Sequence, residues 1–281
     1  MQDAGYLIIA TGKQRYLELA TNLTLSLKLR SSRPVCLLTD ESTEIPSTHR
    51  AFFDVVKRFT PDPVFNGTNT KFLMYEHSPF QRTLYLDADI LLFKDDVEDR
   101  WQQLAGRPIA VEGEMFSSGV VHRRDTRQLM QLMNIPYVVN LNGGAIYFEK
   151  CDLTQQVFHH ARALYRSDLR SQVGYEFRPG ELNDEPFWGV TLPHFGLQPL
   201  PVTNRQRMLQ SLTPYGRDYF FDIERGDFSF IVAGSAESAE VVSGTFCHFA
   251  NLEPLLHYLA AVYPLRRKAR LPEMKYELRL A

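Results

Sequence analysis

Two carboxylates stand two positions apart inside an apolar run, Leu84-Tyr85-Leu86-Asp87-Ala88-Asp89-Ile90-Leu91-Leu92-Phe93. On a strand, side chains at i and i+2 share a face. Their Cα atoms would lie about 6.6 Å apart, at roughly 3.3 Å per residue. Carboxylates flanked by so much apolar surface are costly. A divalent cation offsets that cost. Hard cations such as Mg²⁺ and Mn²⁺ take oxygen ligands and keep places for phosphates. The bland alternative is a turn cap, or an ion pair with Arg82.

Three later segments carry further chemistry. In Asn140-Leu141-Asn142-Gly143-Gly144-Ala145 the glycine pair lets backbone approach a ligand closely, and Asn142 offers both a donor and an acceptor. The same residues suit a tight turn before a strand. Asn183-Asp184-Glu185-Pro186 puts two acids at a predicted helix start, where they serve equally as caps. Thr245-Phe246-Cys247-His248-Phe249 sets an imidazole after an apolar strand. A neutral imidazole is a good Mn²⁺ ligand.

The elements that must position these groups alternate along the first half. Tyr6–Thr11 is a strand-like run ending at Gly12, and Tyr16–Leu29 shows helical spacing of leucines. Val35–Asp40, Phe52–Phe59 and Arg82–Asp89 read as further strands, with a helix around Thr70–Glu76. This order predicts an α/β fold with a mostly parallel central sheet and helices on both faces. Ligands bind beyond the carboxyl ends of such strands, which here carry Thr11-Gly12, Thr39-Asp40 and Asp87-Ala88-Asp89. In the second half, Pro108–Glu112 and Ala145–Phe148 look like strands, and Asp152–Leu169 and Glu253–Val262 like helices. A helix is expected to begin near Asn183. A basic stretch, Arg266-Arg267-Lys268-Ala269-Arg270, follows. No repeat or linker divides the chain, so a single domain over 1–281 is expected.

Composition excludes other classes. The chain has 281 residues, 31 Lys+Arg against 33 Asp+Glu, and a formal charge of −2. That balance gives no global basic field for nucleic acid. With 44% hydrophobic and 12% aromatic residues, disorder is not expected. No apolar run approaches the roughly 20 residues that span a bilayer. Cys36, Cys151 and Cys247 are scattered and lack CxxC spacing, which suggests a reducing, cytoplasmic setting.

The segment YLDADILLFKD resembles the DxD segment of GT-A glycosyltransferases, especially the family 8 type of nucleotide-sugar transferases. That resemblance implies a GT-A-like nucleotide-diphospho-sugar transferase fold and a bound Mn²⁺ or Mg²⁺, with a nucleotide-binding half over about 1–110, an acceptor and sugar half over about 111–265 and a basic tail over about 264–281. It implies Asp89 as a metal ligand, with Asp87 on the metal or the donor, and Ala88 between them. It places Asn142, Gly143 and Gly144 at the donor sugar, and Asp184 or Glu185 near the anomeric carbon and the acceptor. It makes His248 the residue that completes the metal site. Thr11, Gly12 and Asp40 would hold the base and ribose of a nucleotide, usually uridine, with Tyr16 a stacking candidate.

One departure stands out. In the family the His opens a motif with a following Gly and then Lys-Pro, and the Lys meets the diphosphate. Here His248 is followed by Phe-Ala-Asn-Leu-Glu-Pro. Lys71, ahead of the DxD strand, is the candidate substitute for that charge.

The function expected is metal-dependent transfer of a sugar from a nucleotide-sugar, UDP-linked by preference, to a hydroxyl acceptor such as a glycan or lipid-linked glycan. The alternatives are a non-catalytic nucleotide-sugar or carbohydrate-binding protein on the same fold, or a DxD phosphohydrolase. The basic cluster suggests peripheral membrane contact, with a solvated face as the alternative.

Overall fold

Strands Gln2–Ile9, Val35–Asp40, Val55–Phe59 and Phe80–Leu86 run parallel, in the spatial order third, second, first, fourth. The structure is a computed structural model that describes residues 2–178, 180–202, 207–211, 216–233, 239–252 and 254–274. Ala145–Glu149 joins antiparallel beside Phe80–Leu86, and Ile109–Ala110 closes that edge. The sheet is therefore mostly parallel, as expected. It draws strands from both sides of the boundary expected near residue 110.

Successive strand residues point to opposite faces, and here both faces are covered. Tyr6, Ile8, Leu37, Leu84 and Leu86 pack on one side against Leu17, Leu23 and Leu27 of helix Gln14–Arg30 and Trp101 of helix Val97–Leu104. Leu7, Cys36, Leu38 and Tyr85 pack on the other against Val157 and Ala161 of helix Asp152–Arg166 and Phe187 and Trp188 of helix Glu185–His194. Double-sided burial explains why these strands read as continuous apolar runs rather than alternating ones. Each buried Leu contributes roughly 1.5–3 kcal/mol.

Two small sheets flank the carboxyl end of the central one. Leu209–Ser211, Phe246–His248 and Ile90–Leu92 form the first. Val138–Leu141, Glu112–Phe116 and Leu200–Pro201 form the second.

Several expected boundaries shift. The strand expected over Arg82–Asp89 ends at Leu86, so the acidic pair lies in a turn. The helix expected around Thr70–Glu76 is a 3₁₀ helix, Gly67–Leu73, followed by the short helix Met74–His77. The helix expected over Glu253–Val262 runs Leu255–Lys268 and takes in Arg266, Arg267 and Lys268 of the basic cluster. Arg266 of that cluster is buried, donating to Glu18 Oε2 at 2.7 Å, Asn22 Oδ1 at 2.9 Å and the Pro272 carbonyl at 2.8 Å. It is therefore a structural bridge between the first and last helices. Arg267, Lys268 and Arg270 stay exposed, and Lys268 pairs with Glu224 at 2.6 Å. Residues 275–281 of the expected basic tail lie outside the described residues. No helix among the described residues is long and apolar enough to cross a membrane.

Candidate active site

A cleft of about 690 Å³ opens at the carboxyl ends of the parallel strands. Its floor is made by strand ends: Thr11 and Gly12 after the first, Asp40 on the second, Asp87, Ala88 and Asp89 after the fourth. Tyr16, Lys71, Asn142, Asp184, Glu185 and His248 line its other walls. Of the residues expected from sequence, Gly143 and Gly144 alone stand outside this lining. They lie behind it.

The acidic pair is held by backbone on three sides. Asp87 N–H donates to the Gly144 carbonyl at 2.8 Å, which continues the ladder with Ala145–Glu149. The Asp87 carbonyl accepts from Ile90 N–H at 3.1 Å, closing the turn through Ala88. The Asp89 carbonyl accepts from Phe249 N–H at 3.0 Å. The i, i+2 strand geometry expected for the two acids is thus replaced by a turn. The ion pair weighed with Arg82 does not form either, because Arg82 pairs with Asp3.

His248 reaches the acids through strand pairing. Phe246–His248 runs antiparallel to Ile90–Leu92, with His248 opposite Ile90. Its Nε2 lies 3.1 Å from Asp89 Oδ1 and 4.0 Å from Asp87 Oδ2. One ligand atom from each of the three residues lies within 4.8 Å of the others. Two carboxylates and an imidazole suit a divalent cation of the Mg²⁺ or Mn²⁺ type. Burial alone would lower the imidazole's proton affinity, but Asp89 and then Asp87 outweigh it and raise the pKa above its ordinary value. Groups that draw a proton here also favour a metal cation.

A partner shell sits behind the imidazole. His248 Nδ1 is 3.3 Å from Ser211 Oγ, and Asn142 Nδ2 donates to that same hydroxyl at 2.5 Å. With Nδ1 engaged by Ser211, Nε2 is the nitrogen turned to the acids. Gly144 makes room for this contact. A Cβ there would stand 3.0 Å from His248 Nδ1 and 2.9 Å from Asn142 Oδ1.

Lys71 is buried beneath the cleft. Its Nζ lies 3.2 Å from Asp87 Oδ1 and 3.5 Å from Asp184 Oδ2, and donates to the Gly143 carbonyl at 3.0 Å. Burial pulls the ammonium's pKa down, but Asp184, Asp87 and Glu185 together lift it above the ordinary lysine value. Lys71 therefore stays charged and committed to the acids. The cation expected to meet a diphosphate thus lines the cleft while bridging Asp87 and Asp184.

Asp184 occupies the N-cap position of helix Glu185–His194 but makes no side-chain cap bond. Asn183 takes over the turn, its Oδ1 accepting from Glu185 N–H at 2.9 Å. Asp184 is thereby released toward Lys71. Burial, only partly offset by Lys71, pushes its pKa up to about 7, with Glu185 and Asp87 adding to the rise. Three carboxylates share one ammonium, and the deepest acid holds its proton longest. Glu185 Oε1 accepts from Gly143 N–H at 2.9 Å, which ties the second acid to the glycine turn.

Asp40 lines the cleft and is also held by the turn around it. Its Oδ2 accepts from Gly12 N–H and Thr43 Oγ1, each at 3.0 Å, and its Oδ1 accepts from Ser42 N–H at 2.8 Å and from the Ser42 hydroxyl. Burial would raise this carboxyl's pKa, but the Ser42 and Thr43 hydroxyls and the Gly12 and Ser42 amides hold it below its ordinary value. Gly12 sits at φ +74°, a left-handed conformation that favours glycine. Asp40 thus shapes the turn that presents Thr11 and Gly12 to the cleft.

Tyr85, Ser42, Thr43 and Ser211 are the residues that sequence reasoning missed. The Tyr85 hydroxyl donates to Asp87 Oδ1, and burial together with Asp87 keeps that phenol protonated. Asp40-Glu41-Ser42-Thr43 carries a legible turn signal, an Asp followed two and three residues later by hydroxyls. Ser211 carries none, since it reaches His248 only through long-range pairing of Leu209–Ser211 with Phe246–His248.

No protein-family model matches the sequence, and no curated protein matches it. Solved structures do. The galactosyltransferase LgtC, crystallised with donor and acceptor sugar analogues, superposes with a TM-score of 0.51 at 12% identity, covering 73% of this chain and 75% of LgtC. The fold is GT-A. The glycosyltransferase GlyE of Streptococcus pneumoniae TIGR4 gives a TM-score of 0.46 at 14% identity, over 72% of this chain and 46% of its own. Mouse xyloside xylosyltransferase 1 gives 0.43 at 14% identity, over 76% and 89%. In this GT-A frame the cleft lies where open α/β sheets receive ligands, at the carboxyl ends of the parallel strands.

Proposed function

We propose that the protein is a divalent-metal-dependent glycosyltransferase that takes a sugar from a nucleotide-sugar, UDP-linked by preference, and passes it to a hydroxyl acceptor. The observation that carries this reading is the convergence of Asp87, Asp89 and His248 within 4.8 Å in the cleft of a GT-A fold.

Asp87, Asp89 and His248 are the residues that would hold Mn²⁺ or Mg²⁺. When bound, such an ion supplies Lewis-acid neutralisation of the leaving diphosphate's charge. The turn at Thr11 and Gly12, shaped by Asp40, holds the nucleoside, with Tyr16 beside it in the cleft wall. Asn142 offers an amide to sugar hydroxyls. Lys71 fixes Asp87 relative to Asp184, so the diphosphate end and the reacting end of the donor are positioned by one buried cation. Asp184 and Glu185 steady the anomeric centre and orient the acceptor hydroxyl. A carboxyl poised near 7 can take and return a proton at neutral pH.

A thermal-shift titration with UDP, GDP and ADP, each with and without Mn²⁺, tests this on wild type and Asp89→Ala. Stabilisation follows RT ln(1 + [L]/Kd), about 2.7 kcal/mol at a hundredfold excess over Kd. The expected result is a Mn²⁺-dependent shift with UDP that disappears in the variant. A shift with no nucleotide at all would overturn the reading.

A further inference from the structure

A second cavity, of about 280 Å³, lies beside the first and shares Asn142 with it. Its volume is close to the lower end of ligand pockets, roughly 300–1,000 Å³, so it admits one small ring rather than an extended ligand.

Its floor is one face of a β-ribbon. Strand Val138–Leu141 pairs antiparallel with Glu112–Phe116, Asn140 opposite Glu114 and Leu141 opposite Gly113. The period of two puts Asn140, Glu112 and Glu114 on one face. Val139 and Leu141 take the other face and enter the core with Trp188. The ribbon thus brings Glu112, Glu114 and Asn140 to the cavity, with Gly113 and Leu141 at its edge, and Asn142 continues the polar row into the donor cleft.

The roof is pinned in place. Glu112 accepts from Met208 N–H at 2.5 Å and Leu209 N–H at 3.0 Å, fixing the segment that leads to Ser211. Burial raises the Glu112 carboxyl's pKa above its ordinary value, opposed in part by the Leu209 and Met208 amides and then by Arg100 and Arg207, the last of which lines the same cavity. With Glu112 committed in this way, Glu114 and Asn140 are the groups left to meet a ligand. Both are exposed, and neither makes a side-chain hydrogen bond among the described residues.

The geometry points to this cavity as the acceptor subsite, taking a single hydroxyl-rich sugar ring that is neutral or amine-bearing and excluding one that carries a carboxylate or phosphate. A planar carboxylate and a planar amide side by side suit adjacent hydroxyls, which both donate and accept. Glu112 and Arg207 in the lining offset each other, and the exposed Glu114 leaves a net negative charge that repels an anion and favours an ammonium. The shared Asn142 wall lets a ring in this cavity hand a hydroxyl toward the donor. The inference rests on the glycosyltransferase reading above.

Saturation-transfer NMR with Mg²⁺ and UDP present tests it on wild type, Asn140→Ala, Glu114→Ala and Glu114→Gln. The probes are methyl glucoside, methyl galactoside, methyl glucosaminide and methyl glucuronide. At least one neutral or amino glycoside should bind, the glucuronide should not, and Asn140→Ala and Glu114→Ala should weaken binding about tenfold. Glu114→Gln should admit the glucuronide. UDP binding should be unchanged in all three variants, which also reports that they fold. If UDP binds but no glycoside does, or the variants bind glycosides as wild type does, the subsite is overturned and the transferase reading stands. Glucuronide binding to wild type overturns the charge selection. If glycosides bind in a variant-sensitive way and UDP does not, the cavity stands and the transferase reading falls. Failure of both ligands overturns both.

Discussion

Lys71 Nζ lies 3.5 Å from Asp184 Oδ2 at the buried base of the cleft, while Asp87 holds the same ammonium from the other side. One cation therefore couples a metal-type ligand to the acid at the head of helix Glu185–His194. Removing it leaves the buried Asp184 and the half-buried Asp87 without that counter-charge. Lys71→Met should cost about 3–5 kcal/mol of stability, the usual effect of breaking a buried pair from one side. Urea unfolding of the variant checks this, and a midpoint equal to wild type would show the ammonium to be energetically idle.

The same network sets a pH dependence. The folded-state pKa of Asp184 is pushed up to about 7, above the unfolded aspartate value of about 3.9. The folded state then binds more protons between those values, and stability falls as pH rises through that window. The stabilising proton is fully present below about pH 4 and lost above about pH 7. With chelator present, wild type should lose more stability than Asp184→Asn between about pH 5 and pH 8. Parallel curves for the two proteins would refute the assignment.

Gly144 and Ser211 should control metal affinity without touching a metal. A Cβ at position 144 would stand 3.0 Å from His248 Nδ1, and loss of the Ser211 hydroxyl frees that nitrogen from its 3.3 Å partner. Gly144→Ala and Ser211→Ala should each weaken Mn²⁺ binding by about 10–100-fold, the usual effect of losing an outer-shell partner. Calorimetric titration of Mn²⁺ measures this directly, and wild-type affinity in Ser211→Ala would remove the positioning role.

Asp40 is expected to act through the backbone it shapes. Asp40→Ala removes the acceptor from Gly12 N–H, Thr43 and Ser42 together, and frees a turn whose glycine sits at φ +74°. UDP affinity should fall about tenfold, while Mn²⁺ affinity stays as in wild type. Equal losses of both would mean that the whole cleft has shifted.

Arg266 bridges the first and last helices far from any proposed chemistry. Arg266→Met should destabilise by about 1.5–3 kcal/mol, because Glu18, which keeps His49 at 2.9 Å, and Asn22 both lose their charged partner. Folded variant protein should bind UDP and Mn²⁺ as wild type does. A selective loss of nucleotide binding with normal stability would contradict this structural role.

Much of this protein is legible from local pattern. Apolar runs buried on both faces name the strands, their alternation with helices names the parallel sheet, and two acids after such a run mark the candidate site. Strand ends also announce which polar residues meet, since parallel strands bring Gly12, Asp40 and Asp87 to one edge. What the tertiary structure alone decided is who touches whom. The acids lie in a turn closed by Ile90 N–H on the Asp87 carbonyl, and Gly144 and Phe249, partners far along the chain, hold its two ends. Lys71 is an internal bridge because helix Glu185–His194 delivers Asp184 to it. Ser211 meets His248 because two short strands pair across residues that carry no shared motif. Arg266 leaves the basic surface because Glu18 and Asn22 wait on another helix. Local periodicity reports which way a side chain points within its own element. Hydrogen-bond and ion-pair partners are chosen by packing between elements, and that information exists only once the chain has folded.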